Sequence, residues 1–131
     1  MKKLILVIFT VLMASIYSHA QSGGDSIVFE KTVHDYGTIV QSGNGETEFV
    51  FVNKGTKPLV LNGVSASCGC TSPSWTRTPV LPGKTGSVKV KYNTEILGSF
   101  TKTVTVSSNA SNSNVILTIR GNVVQKATAQ K

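Results

Sequence analysis

Val88-Lys89-Val90-Lys91-Tyr92 is the stretch on which the fold turns. Apolar and cationic residues alternate strictly through it, which puts every second side chain on one face, the mark of a strand with one dry and one wet side. The same period runs through Phe49 and Phe51, and through Val104 and Val106 against Thr103 and Thr105. It recurs in Val115, Leu117 and Ile119 against Thr118 and Arg120, where Ile116 interrupts it. Ile27 to Val33 and Leu59 to Val64 add two further runs, and Thr71 to Thr76 a weaker one. Turn chemistry separates them: Gln41 to Gly45, Asn53 to Gly55, Pro82-Gly83, and Asn109 to Asn114. No segment sustains a 3.6-residue apolar period. The pattern therefore predicts an all-β chain, a single immunoglobulin-like antiparallel β-sandwich of about seven strands.

The sandwich is expected over residues 27–124, and what precedes it reads as processing signal. Lys2 and Lys3 form a positive start, Leu4 to Ala14 is apolar apart from Thr10, and Ser18-His19-Ala20 offers small residues where a signal peptidase reads. That run is too short for a membrane helix, which needs roughly 20 residues. No Cys follows it to carry a lipid, and no later stretch is apolar enough to span a bilayer. Residues 1–20 are thus read as a cleaved signal peptide, 21–26 as a short linker and 125–131 as a polar tail. The expected destination is the periplasm or the cell exterior.

Of 13 Lys and Arg, removal of Lys2 and Lys3 leaves 11 against 6 acids, a net charge of +5. These cations are scattered along the chain. A nucleic-acid partner would call for a basic block with interleaved aromatics, so none is expected. A solvated sheet face accounts for the charge.

Several motifs together resemble a known family. They are Phe29, His34-Asp35-Tyr36-Gly37-Thr38-Ile39, Phe49 to Asn53, Gly55, Pro58-Leu59 and Val64. Ser67-Cys68-Gly69-Cys70-Thr71, Pro73, Trp75, Pro82-Gly83, Val88 to Tyr92, Gly98 to Phe100 and Ser108-Asn109 follow. The chain is similar, from about Phe29 to about Gly121, to the secreted bacterial "domain of unknown function 1573" family. The Ser-Cys-Gly-Cys-Thr centre is the most specific piece. The resemblance implies a sandwich related to the PapD-like and ASPM-SPD2-Hydin groups, and it implies no reaction.

Cys68-Gly69-Cys70 is the sharpest chemical feature. Two residues apart, these cysteines are no inter-sheet staple of the antibody kind. In an extended strand their Cα atoms would stand near the upper limit for a disulfide. Gly69, free to adopt conformations closed to other residues, offers a turn that brings the sulfurs together. An oxidising compartment favours that bond, although closing a three-residue loop contributes only about 1.6 kcal/mol before strain. Metal binding is the alternative. Cys68, Cys70 and His34 are the candidate ligands, short of the four a closed Zn site wants; the two thiolates suit Cu(I) better. Thiol–disulfide redox work is the other alternative, without the helix N-terminus that activates thioredoxin-like pairs.

His34-Asp35 invites a catalytic reading, but neighbours in a strand point to opposite faces. A strand end is expected there instead, with Tyr36 on the core and Gly37 in a turn. Trp75, between Pro73 and Pro79, is expected to cap an end of the sandwich. Gly83-Lys84-Thr85 lacks the earlier Gly of a phosphate loop, no Gly-x-Ser-x-Gly motif occurs, and the acids show no paired spacing. The expectation is a non-enzymatic binding or structural module of the cell envelope. Thr71, Pro73 and Trp75 are its candidate contacts with a protein or other envelope component.

Overall fold

The computed structural model describes residues 25–128, so the expected signal peptide, most of the linker and the end of the tail lie outside the described residues. Eight strands run in order: β1 (Ile27–Phe29), β2 (Val33–Val40), β3 (Glu46–Asn53), β4 (Leu61–Ala66), β5 (Thr71–Trp75), β6 (Thr85–Tyr92), β7 (Gly98–Ser108) and β8 (Asn114–Val124). They form two four-stranded sheets, ordered β1-β3-β6-β5 and β2-β8-β7-β4. Only the β5–β6 and β7–β8 connections stay within one sheet.

The alternation read from the sequence is what fills the space between the sheets. Phe49, Phe51, Val88 and Val90 from one sheet meet Val104, Val106, Leu117 and Ile119 from the other, all essentially inaccessible to solvent. Lys89 and Lys91 stand on the wet face opposite Glu48 and Glu46. Tyr92 stacks on Phe100 with ring centroids 3.7 Å apart, tying the sheets together near one end. Ile116, which broke the pattern, points outward and is 60% exposed.

The all-β immunoglobulin-like sandwich is as expected, with three departures in detail. Ile27 to Val33 is two strands, because the chain leaves β1 after Phe29 and enters the other sheet at Val33. There β2 lies parallel to β8, the one pairing among the described strands that is not antiparallel. Strands that switch sheets in a sandwich do so at bends and bulges. Gly37, expected in a turn, instead sits at a register shift inside β2 with φ of 64°, a left-handed conformation that glycine adopts without penalty.

Candidate functional site

β4 and β5 are edge strands on the same side of the sandwich, one in each sheet, and the segment Ser67 to Cys70 carries the chain between them. The Cys-Gly-Cys motif is that corner. The Thr71 N–H donates to the Cys68 carbonyl at 3.3 Å, closing a turn over four residues. The turn draws the cysteine Cα atoms to 5.3 Å and the sulfurs are joined in a disulfide. Gly69 is exposed and not in a left-handed conformation, and a side chain added there would meet open space. Its conformational freedom is therefore not what makes the turn, contrary to expectation. What glycine does here is leave the outside of the turn bare.

Thr71 follows directly. Opposite Tyr92 in the β5–β6 register, it faces the sandwich interior and is 4% exposed. Its hydroxyl lies 3.8 Å from the Cys68 sulfur and 3.9 Å from the Cys70 sulfur. Among the described residues, those sulfurs are the hydroxyl's only hydrogen-bond partners. Thr71 was expected to be a surface contact. Strand alternation turns it inward and makes it a neighbour of the sulfurs instead. Sequence reasoning missed this role; the signal was a hydroxyl residue next to Cys70 at an inward-facing position.

The rest of β5 forms an open edge. The Asn93 N–H donates to the Cys70 carbonyl and the Thr76 N–H to the Ser87 carbonyl. Antiparallel alternation then sends the backbone groups of Thr71, Pro73 and Trp75 away from β6. Pro73 puts its missing donor on that free side, the position where an edge strand tolerates proline. Trp75, the last residue of β5 and opposite Val88, packs half-buried against the core. The Arg77 guanidinium lies 3.6 Å from the centre of its ring.

His34 is not brought to the cysteines. It stands on β2, with β8 and β7 between it and β4, a separation of about 14 Å at the usual strand spacing. Its Nδ1 is 3.1 Å from the Lys31 ammonium, and its ring meets Tyr36 edge-on with centroids 4.4 Å apart. Partial burial, then the Lys31 charge, holds its pKa below the usual histidine value. Asp35 points the other way, accepting from the Gly37 N–H at 2.8 Å and from Arg120 Nε at 2.9 Å. The expected opposition of His34 and Asp35 thus holds. Among the described residues no three His, Cys, Asp or Glu side chains gather as metal ligands. No described helix is long and apolar enough to cross a membrane.

Two open four-stranded sheets packed on one apolar core define an immunoglobulin-like β-sandwich. The chain belongs to the family described as "Protein of unknown function (DUF1573)", whose model matches residues 27–123. No curated protein matches it in sequence. Its fold is similar to the PapD-like domain 7 of human CEP192, an ASH domain, at TM-score 0.67 and 8% identity, over 88% of this chain and 97% of that one. A protein of unknown function from Porphyromonas gingivalis W83 matches at TM-score 0.66 and 16% identity, over 79% of this chain. The match covers 50% of that protein, so the chain spans about half its length. The Pseudomonas aeruginosa CupB2 chaperone matches at TM-score 0.54 and 11% identity, over 73% of this chain and 55% of that one.

Proposed function

We propose that the protein is an exported, non-enzymatic binding module of the cell envelope, working in the periplasm or outside the cell. The corner and edge running from Cys68 to Trp75 would engage a protein or other envelope component. The observation that carries this reading is the junction of a covalently closed, solvent-facing turn with an unpaired strand edge. Both features present backbone and side chains to a partner at little further ordering cost. Pro73 and the Trp75–Arg77 stack supply apolar area on the same edge, and Ser72 and Ser74 project from its outer face. Export rests on Lys2, Lys3 and the apolar run that follows. The chaperone likeness supports protein binding as an analogy of fold.

The test is recovery of partners from an envelope extract by the mature protein, compared with a Ser72→Arg/Ser74→Arg variant. Both serines are exposed, so the variant should fold. Recovery should fall at least about tenfold, the effect of roughly 1.4 kcal/mol of lost binding. No partner at all, or the same partners in both samples, would sink the reading.

A further inference from the structure

Thr71 is a buried hydroxyl with poor partners. A disulfide sulfur is a weak hydrogen-bond acceptor, whereas a thiolate is an anion to which the same O–H donates strongly. At 3.8 and 3.9 Å the hydroxyl is nearly equidistant from the two sulfurs, so it serves whichever one is released. Thr71 is thus poorly satisfied while the disulfide is closed and well satisfied once it opens.

Access points the same way. Gly69 leaves the outside of the turn bare, and both cysteines are only half-buried. Beside them lies an open depression of about 270 Å³, lined by Gly69, Cys70, Ser72, Lys91, Tyr92 and Asn93. It has room for the body of a small thiol, and Lys91 lines it while its ammonium stands 3.8 Å from the Glu46 carboxylate. The loop that the bond closes is so short that its loss costs the fold little. The hydrogen bond from Thr71 N–H to the Cys68 carbonyl is independent of the sulfurs, and it would hold the open thiols ready to reclose.

We propose that Cys68–Cys70 is a thiol–disulfide exchange site and that Thr71 is its positioning residue. A donor thiolate attacks one sulfur; the Cys68–Cys70 bond breaks as the mixed disulfide forms. The released cysteine leaves as a thiolate that accepts the Thr71 O–H. A second donor thiolate then attacks the donor sulfur of the mixed disulfide and frees the other cysteine. Two donor thiols are oxidised to a disulfide; the protein pair takes up the two electrons and one proton, one cysteine staying a thiolate held by the Thr71 O–H, and the second donor proton passes to solvent. The inference goes beyond the binding role and does not depend on it, because the donor is defined only as a thiol.

The experiment equilibrates mature protein in reduced and oxidised glutathione. Remaining thiols are trapped by alkylation and counted by intact mass. The wild-type pair should open at a glutathione ratio that leaves a structural disulfide of another secreted protein closed in the same tube. Thr71→Val, nearly the same shape, should shift the equilibrium about tenfold toward the disulfide, or about 30 mV for two electrons. Thr71→Ser should restore it. A wild-type pair that stays closed overturns the exchange site without any variant. An equilibrium unchanged in a folded Thr71→Val protein overturns the part given to the hydroxyl. Neither result bears on partner capture from the envelope, so failure here is distinct from failure of the binding role.

Discussion

Asp35 and Tyr36 are adjacent in β2 and live in different surroundings. Asp35 is exposed, and the Gly37 N–H, then Arg120, hold its carboxyl below the usual range. Tyr36 is half-buried and donates its hydroxyl to the Gly45 carbonyl at 2.7 Å. Burial, with the Glu46 carboxylate adding to it, pushes Tyr36 from 10.0 up to about 12. An unfolded chain would therefore release this proton first. The stabilisation is whole below pH 10.0 and is lost as pH rises toward about 12. In urea titrations, Tyr36→Phe should cost about 1 kcal/mol at neutral pH. It should also flatten the loss of stability above pH 10.0, leaving the slope that Tyr92 contributes. An unchanged alkaline slope would show that Tyr36 is not so held. The opposed directions of His34 and Asp35 were legible from alternation alone. The bond to Gly45 was not, because it depends on how β2 and the following turn pack. Thr71 illustrates the same division: its inward direction follows from period 2, but its place between two sulfurs follows from the turn.

Among the strands, β5 is the informative one. It was the weakest candidate in the sequence because it is short, rich in Ser and interrupted by Pro73. Those traits belong to an edge strand, where proline removes a donor that would otherwise template another chain. Pro73→Val restores an outward N–H and a β-branched side chain on the exposed edge. Light scattering at rising concentration should show greater self-association for this variant. A variant as monodisperse as the parent would mean that β5 is shielded some other way. The two strands read as one, Ile27 to Val33, show the opposite limit. Hydrophobic alternation carries no mark of which sheet a residue joins, so neither the crossing after Phe29 nor the parallel β2–β8 pairing could be read from it.

For the molecule as a whole, stability resides in the inter-sheet core. Phe49 is wholly inaccessible, and Phe49→Ala should cost about 3–5 kcal/mol through lost burial and the cavity left behind. Opening the Cys68–Cys70 bond, or replacing both by Ser, should cost no more than about 1.6 kcal/mol, the entropy of its short loop. Urea denaturation of the two variants decides the ranking. A disulfide variant as destabilised as Phe49→Ala would mean that the corner staples the sandwich after all. The sequence by itself determined the all-β class, the residues of the core and the wet face, because the two-residue period of a strand is a local property of the chain. It also placed two thiols one residue apart, within reach of a bond only if the chain turns between them. Only the tertiary structure decided which strands form edges, that His34 lies three strands from the cysteines, and that the hydroxyl of Thr71 faces both sulfurs. Those facts depend on sheet order and on the packing of distant segments, for which a single strand's alternation has no record.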